Sequence, residues 1–263
     1  MVIKYIDTHC HIADRKFEGK REHIVKECRK RGVLFFVVGL DYFSNFFSFK
    51  FSRTHRLPCF LGLHPLYVKN IEQIEEVFKE IENMANEIDG VGEVGLDMYR
   101  TKDIRNIDLQ KICFEKFLKL ASIHNLPIII HSRKAEKNIF EYIKKENVES
   151  PIILHSYTGN LSLAKEFLKL RHKGKRIYFS IPAIIVRSKH YKKLVKILPL
   201  ETILCETDAP YQSPIKRDLN YPWYVTYAYE AISEIKEIPI EDLSSVILQN
   251  VKEILEDRYY RYL

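Results

Sequence analysis

Eight short apolar segments, spaced about 20 to 40 residues apart and mostly separated by helical patterns, constrain the fold of this chain more than any other feature. They are residues 2–6, 33–39, 59–62, 90–97, 127–130, 152–154, 176–180 and 202–205. Strands that alternate with helices form parallel βαβ units. Eight units in 263 residues fit a (β/α)8 barrel better than a doubly wound sheet, and no Gly-x-Gly-x-x-Gly turn follows the first strand. The sequence therefore predicts an α/β fold, a single TIM-type (β/α)8 barrel domain over residues 1–263.

Composition narrows the setting in which such a chain works. Lysine and arginine modestly outnumber aspartate and glutamate, which gives a net charge of +7. Such a charge suits a polyanionic substrate but is also found in many ordinary soluble proteins. The five cysteines are scattered and form no CxxC pair, so we expect reduced thiols rather than a disulfide framework. The amino-terminal residues lack a signal-peptide pattern, and no uncharged run approaches the roughly 20 residues that cross a bilayer. We therefore expect a cytoplasmic protein without a membrane segment.

Histidines and carboxylates recur at the carboxyl ends of the predicted strands. Side chains alternate along a strand, so Asp7, His9 and His11 point to one side of the first strand. The same residue types end or follow later strands, at His64, Glu93, His131, His155, Glu206 and Asp208. In a (β/α)8 barrel, catalytic groups gather at these strand ends. A polar strand end that meets solvent explains one such residue, whereas the whole set indicates a metal site.

The number of candidate ligands predicts the number of ions. Six side chains are candidates, namely His9, His11, Glu93, His131, His155 and Asp208. An open catalytic site with one ion uses about three protein ligands, so six ligands suit two divalent cations roughly 3.5–4 Å apart and bridged by a carboxylate. Glu93, on a central strand, is the expected bridge. Mg²⁺, Mn²⁺ and Zn²⁺ are the candidate ions.

Five motifs, in chain order, resemble the TatD family of metal-dependent deoxyribonucleases, which lies within the amidohydrolase superfamily. They are DTHCH at 7–11 with Asp14 and Phe17, GLHP at 62–65, GEVGLD at 92–97, IIHSR at 129–133 with Ala135, and ETDAP at 206–210. Asn250 also fits the carboxyl-terminal region of the family. An isolated DxHxH motif would indicate only the superfamily, whereas five ordered motifs resemble this family specifically.

The resemblance implies a role for each candidate residue. One ion would be held by His9, His11, Glu93 and Asp208, and the other by Glu93, His131 and His155. Asp208 would also orient the attacking water and accept its proton. His64 and Arg133 would lie close to the scissile phosphate, where the guanidinium suits phosphate oxygens, although Arg133 could instead form a surface ion pair. Glu206 would either face the metal or support a ligand, and Asp7 would orient one imidazole.

The chain departs from the family pattern at several positions around the site. It reads HSYTG at 155–159 where the family usually has HCFSG, and it has Phe117 where a glutamine is common. Tyr221-Pro222 replaces the usual acidic–proline pair. These changes spare the metal ligands, so they bear on substrate preference more than on the chemistry.

Two basic clusters and one aromatic series lie outside the motifs. The cluster RHKGKR at 171–176 precedes the seventh strand, so we interpret it as a solvated turn away from the site. The cluster KHYKK at 189–193 follows that strand and could guide a nucleic-acid backbone, with Tyr191 available to stack on a base. The phenylalanines at 43, 46, 47 and 51 recur at helical intervals and are predicted to belong to the core.

These observations predict a divalent-metal-dependent phosphodiester hydrolase, a TatD-like deoxyribonuclease with a two-metal site and a metal-activated water. We expect an exonuclease that acts on single-stranded or frayed DNA ends, as a monomer without an obligate protein partner. Repair endonuclease activity and RNA cleavage stay open. The alternative is an amidohydrolase-type ester or amide hydrolase, such as an aminoacyl-tRNA deacylase, which would use the same barrel and metals.

Overall fold

The computed structural model describes residues 2–146 and 148–262, and its eight strands form one sheet in which each strand neighbours the next in chain order. The strands are β1 (Tyr5–Cys10), β2 (Val33–Val38), β3 (Cys59–Leu61), β4 (Gly90–Asp97), β5 (Ile128–Arg133), β6 (Ile152–Leu154), β7 (Ile177–Pro182) and β8 (Ile203–Glu206). β1 runs parallel to β2, β4 to β5, and β7 to β8. β8 also lies beside β1, through a parallel bridge between Cys10 and Ala209.

Helices follow the strands throughout the described residues. They are α1 (Arg21–Arg31), α2 (Tyr42–His55), α3 (Ile71–Asn83), α4 (Ile104–Ile123), α5 (Glu136–Lys145), α6 (Leu161–His172), α7 (Lys189–Ile197), α8 (Thr226–Lys236) and α9 (Ile240–Leu255). Eight parallel strands that alternate with helices make a TIM-type (β/α)8 barrel, so the predicted fold class is confirmed. Within residues 2–146 and 148–262, no helix combines the length and apolar character needed to cross a bilayer.

The chain is organised in two compact units. Unit one comprises Met1–Val37, Lys50–Pro58 and Tyr178–Leu263, and unit two comprises Val38–Phe49 and Cys59–Ile177. Unit one contains β1, β8 and nearly all of β2 and β7, whereas unit two contains β3 to β6. The prediction that residues 1–263 form a single domain stays a prediction.

Local sequence signals explain where α3 begins and why β4 is buried. Asn70 caps the start of α3, because its Oδ1 accepts a hydrogen bond from the N–H of Gln73 at 2.9 Å. The side chain of Gln73 in turn accepts one from the N–H of Lys69, the residue before the cap. All eight residues of β4 are buried, as expected for a strand covered on both faces. The five cysteines are buried free thiols in the structure.

The helix α2 contradicts the prediction that its phenylalanines all belong to the core. Phe51 is buried, but the side chains of Phe43 and Phe46 are 80% and 53% exposed. The inner face of α2 carries small polar residues instead, among them the fully buried Asn45. Asn45 Nδ2 donates to the carbonyl of Gly62 at 2.8 Å, and Asn45 Oδ1 accepts from the N–H of Gly62 at 3.3 Å. These hydrogen bonds set the rotation of the helix, so Phe43 and Phe46 face outward.

Candidate metal centre

In unit two, three imidazoles surround one carboxylate oxygen. Glu93 on β4 is buried, and its Oε1 lies 2.7 Å from Nδ1 of His131. The same oxygen lies 3.7 Å from Nε2 of His64 and 3.7 Å from Nε2 of His155. Ligand atoms of His64, Glu93 and His131 all lie within 4.8 Å of one another. The structure therefore brings four of the predicted site residues together within this unit.

A second carboxylate, on Asp97, positions the imidazole of His131. Nε2 of His131 lies 3.1 Å from Oδ2 of Asp97, while Nδ1 faces Glu93. Burial favours the neutral form of Asp97, but hydrogen bonds from His131 and from the backbone of Tyr99 and Arg100 hold the pKa of Asp97 below its ordinary value. Burial also disfavours protonated His131, yet its hydrogen bonds to Asp97 and Glu93 raise its pKa.

The sequence prediction omitted Asp97 from the site. A usable signal was present, because Asp97 and Glu93 are four residues apart on one strand and residues at even spacing share a face. A carboxylate that accepts a hydrogen bond from a metal-binding imidazole fixes the ring and its tautomer. Asp97 is thus placed to keep Nδ1 of His131 turned toward Glu93.

Asp97→Asn is expected to weaken the binding of Mn²⁺ or Zn²⁺ by about 10- to 100-fold, because an amide orients the imidazole less well than a carboxylate. Isothermal titration calorimetry of the metal-free protein measures this. The matched control is Asp103→Asn, because the exposed Asp103 only caps α4 and asparagine caps equally well. Equal affinities for the two variants would contradict the positioning role.

A glycine allows β4 to approach β5 beside His131. Gly95 has a φ of +146°, and a Cβ atom built on it would lie 2.0 Å from the carbonyl oxygen of His131. No side chain fits in that space, so Gly95 lets the backbone of β4 pass directly beside the backbone of His131.

Gly95→Ala is therefore expected to lower the free energy of unfolding by about 3 kcal/mol or more, because backbone strain and overlap both add to the cost. Urea denaturation measures the change. Gly19→Ala is the control, since Gly19 also has a positive φ of +72° but a Cβ there meets nothing within 4 Å. In the control, the free energy of unfolding should fall by only about 1 kcal/mol. Equal losses at both positions would show that overlap with β5 has no role.

In unit one, two histidines lie close to a carboxylate. His9 is on β1 and His11 directly follows it, and Asp208 follows β8. Nε2 of His9 lies 3.1 Å from Nε2 of His11, which lies 3.4 Å from Oδ1 of Asp208. The other oxygen of Asp208 accepts a hydrogen bond from Nε2 of Gln212 at 2.7 Å. The backbone N–H of Asp208 donates to the carbonyl of His9 at 3.0 Å, which holds the two segments in register. Gln212 was not among the predicted site residues.

The buried Asp7 binds backbone and hydroxyl groups in the structure. Its Oδ1 accepts from the N–H of Thr207 at 2.7 Å and from the N–H of His9 at 3.2 Å, and its Oδ2 accepts from the Thr207 hydroxyl at 2.6 Å. Burial raises the pKa of Asp7 well above its usual value, although these hydrogen bonds oppose the shift. Asp7 thus fixes the backbone that carries His9, rather than an imidazole ring as predicted. Glu206 is fully buried at the end of β8.

The structure gives Arg133 a contact with an aromatic ring and places Tyr191 in the core. The guanidinium of Arg133 lies 4.8 Å from the ring centroid of the exposed Tyr99, which is a cation–π contact rather than the alternative surface ion pair. Tyr191 is buried on the inner side of α7, so the prediction that it stacks on a base is wrong. The apolar residues Leu194 and Val195 determine which face of α7 is buried, and Tyr191 lies on the same face because it shares their helical spacing.

The donor groups of both units fit a divalent cation. Imidazole nitrogens and carboxylate oxygens are the usual protein ligands of Zn²⁺ and Mn²⁺. Unit two brings such atoms within 4.8 Å of one another at His64, Glu93 and His131. Unit one brings together His9, His11 and Asp208, and all of these side chains are shielded from solvent to a large degree. The residues therefore support metal binding.

Comparisons with known proteins agree with these features. The family model described as TatD related DNase matches residues 6–256. An uncharacterized metal-dependent hydrolase from Methanocaldococcus jannaschii is 37% identical over 257 residues, which are 97% of this chain and 98% of the relative. The human protein named Deoxyribonuclease TATDN3 is 29% identical over 265 residues, which cover 93% of this chain and 92% of the human protein. The crystal structure of YJJV, a TATD homolog from Escherichia coli, is similar with a TM-score of 0.86 and 24% identity, covering 97% of this chain and 99% of that one.

Proposed function

Because this chain belongs to the TatD related DNase family of metal-dependent hydrolases, we propose that it hydrolyses phosphodiester bonds in DNA with the help of two divalent cations. The substrate in this proposal is single-stranded DNA or a frayed DNA end, attacked exonucleolytically. The name of the human relative, Deoxyribonuclease TATDN3, supports a nuclease. The observation that carries the proposal is the position of Glu93, whose Oε1 lies within 3.7 Å of ring nitrogens from three histidines.

The proposal divides the ligands between two ions. One ion would be held by His9, His11, Glu93 and Asp208, and the other by Glu93, His131 and His155. In a (β/α)8 barrel, catalytic groups gather at the carboxyl ends of the strands, and each proposed ligand lies on or directly after such a strand. Such ions, when bound, would lower the pKa of a water molecule and offset the negative charge that develops on the phosphoryl oxygens.

The residues of the chain have separate tasks in this mechanism. Asp208 would orient the attacking water and accept its proton, since its Oδ1 faces the histidines while Gln212 holds its Oδ2. His64, beside Glu93 and His131, would donate a hydrogen bond to a non-bridging phosphate oxygen. Arg133 would bind the phosphate through its guanidinium, and Tyr99 would hold that group in place. Glu206 would support the ligands from its buried position.

The test combines metal content with activity. Freshly purified protein, supplemented with Mn²⁺, is expected to bind about two ions per chain and to release nucleotides from end-labelled single-stranded DNA. Fewer than one ion per chain, even after Mn²⁺ or Zn²⁺ is added, would contradict the site. If no nucleotide is released, while Asp208→Asn abolishes an esterase or aminoacyl-tRNA deacylase activity, the reaction is the alternative one at a carbon centre.

A further inference from the structure

The exposed aromatic side chains of this protein are concentrated beside the proposed site. Among the residues that the structure describes, seven exposed side chains are phenylalanine or tyrosine. Five of them lie in unit two, in the segments that directly follow three consecutive strands: Tyr42, Phe43 and Phe46 after β2, Tyr67 after β3, and Tyr99 after β4. We call these five residues the aromatic rim. Exposed apolar groups that cluster on one region usually mark a binding surface.

The fold holds Phe43, the most exposed residue of the rim, in solvent. The two hydrogen bonds between Asn45 and Gly62 fix the rotation of α2, and a Cβ built on Gly39 would lie 2.1 Å from Oδ1 of Asn45. The start of the helix is fixed as well, because the N–H of Ser44 donates to Asp41 Oδ1 at 2.8 Å. The helix therefore keeps Phe43 in solvent, although an apolar side chain favours burial.

The rim is connected to the proposed site through the backbone. The N–H of His64 donates to the carbonyl of Leu40 at 2.9 Å, and the N–H of Glu93 donates to the carbonyl of Gly39 at 3.2 Å. Phe43 follows Leu40 by three residues, so their Cα atoms are at most about 11 Å apart. The ring centroids of Tyr67 and His64 are 5.9 Å apart. A polymer that is bound at His64 and Glu93 would thus reach these rings.

A cation accompanies the rim at Tyr99. The guanidinium of Arg133 lies over the ring of Tyr99. Aromatic rings interleaved with cations bind single-stranded nucleic acids, because every base has a face that stacks and every linkage carries a negative charge. A base that is stacked inside a duplex offers no free face.

We propose that the aromatic rim, with Phe43 at its outer end, is a stacking site for unpaired bases of a single-stranded nucleic acid. This inference rests on the proposed function and extends it from the scissile phosphate to the bases beside it. Recognition of stacked bases makes little distinction among sequences, and it selects single-stranded segments over duplex.

The test compares ligands with and without bases. Fluorescence anisotropy in EDTA, which prevents hydrolysis, measures the Kd of labelled oligothymidylate and of an oligomer of abasic sites of equal length. The wild-type protein is expected to bind oligothymidylate at least about tenfold more tightly. In Phe43→Ala/Phe46→Ala this preference should fall by about 5- to 100-fold or vanish. The control is Ile123→Ser, which removes a 77%-exposed aliphatic group at the far end of α4 and should leave the preference unchanged.

Two single variants separate stacking from general apolar contact. Phe43→Trp should retain the preference for bases, whereas Phe43→Leu should lose most of the contribution of this ring. An unchanged preference in the double variant, or full retention in Phe43→Leu, would overturn the inference. So would a wild-type dimer in sedimentation that Phe43→Ala converts to monomer without a change in oligonucleotide affinity, since the rim would then join copies of the chain.

A chromogenic assay keeps this inference distinct from the proposed function. With Mn²⁺, wild type and Phe43→Ala/Phe46→Ala should hydrolyse bis(p-nitrophenyl) phosphate at the same rate, because this substrate has no bases to stack. Failure of the wild type in this assay contradicts the proposed function alone. A lower hydrolysis rate in the double variant alone overturns the inference, because the rim would then affect the reaction itself.

Discussion

Replacing Glu93 with glutamine is expected to lower kcat/KM for DNA hydrolysis by at least about a thousandfold, beyond the loss of a single transition-state hydrogen bond. Oε1 of Glu93 lies within 3.7 Å of ring nitrogens of His64, His131 and His155. An amide has one oxygen and no negative charge, so it cannot bridge two cations. Metal analysis should therefore show fewer ions per chain together with the loss of turnover.

The matched control for this change is Glu76→Gln, which removes the same charge from an exposed position on α3. It should retain wild-type turnover and metal content. Circular dichroism should show the native spectrum for both variants. A Glu93→Gln protein that keeps more than about a tenth of the activity would contradict the role of Glu93, since loss of a bridging ligand costs far more than 1.4 kcal/mol.

The second large effect is expected at Asp208. Asp208→Asn should lower kcat by at least about a thousandfold while KM for DNA changes little, because the asparagine keeps the shape of the side chain but accepts no proton. Steady-state kinetics with excess Mn²⁺ measures both parameters. Excess metal matters, because the proposal also makes Asp208 a ligand.

A neighbouring variant gives a graded comparison. Gln212→Ala removes the 2.7 Å hydrogen bond to Oδ2 of Asp208 but leaves the carboxylate itself. Loss of such a supporting contact should cost about 10- to 100-fold in kcat. An Asp208→Asn protein that is more active than Gln212→Ala would show that the carboxylate is not the proton acceptor.

The fold was accessible from sequence because its signals are local. Buried parallel strands read as continuous apolar runs, and β2, β5 and β8 each show one. The barrel then makes the strand ends predictable, so the sequence alone groups His64, Glu93 and His131 at one end of the strands. The structure brings these three residues together within unit two. The number of ions and the assignment of ligands to each ion stay predictions.

The errors share one physical cause, because each depends on a partner that the local sequence does not reveal. Phe43 follows a helical spacing typical of a core, but the pair Asn45 and Gly62 decides which face of α2 is buried. Tyr191 lies among lysines, yet the apolar residues of α7 determine the side on which it packs. The role of Asp97 also depends on a distant partner, His131 on the next strand, although its spacing from Glu93 was a usable signal.

The hydrogen bonds between Asp7 and Thr207 join residues that are 200 positions apart in sequence, and this has a consequence for the order of events during synthesis. The residues of the carboxylate and imidazole cluster of unit two all precede residue 156, so they leave the ribosome before β7 and β8. The pairing of β1 with β8 must wait until the last strand leaves the ribosome, and closing so long a loop is slow. Chains that end before β8 lack Asp208 and Gln212, so we expect nuclease activity only in chains that extend beyond these residues.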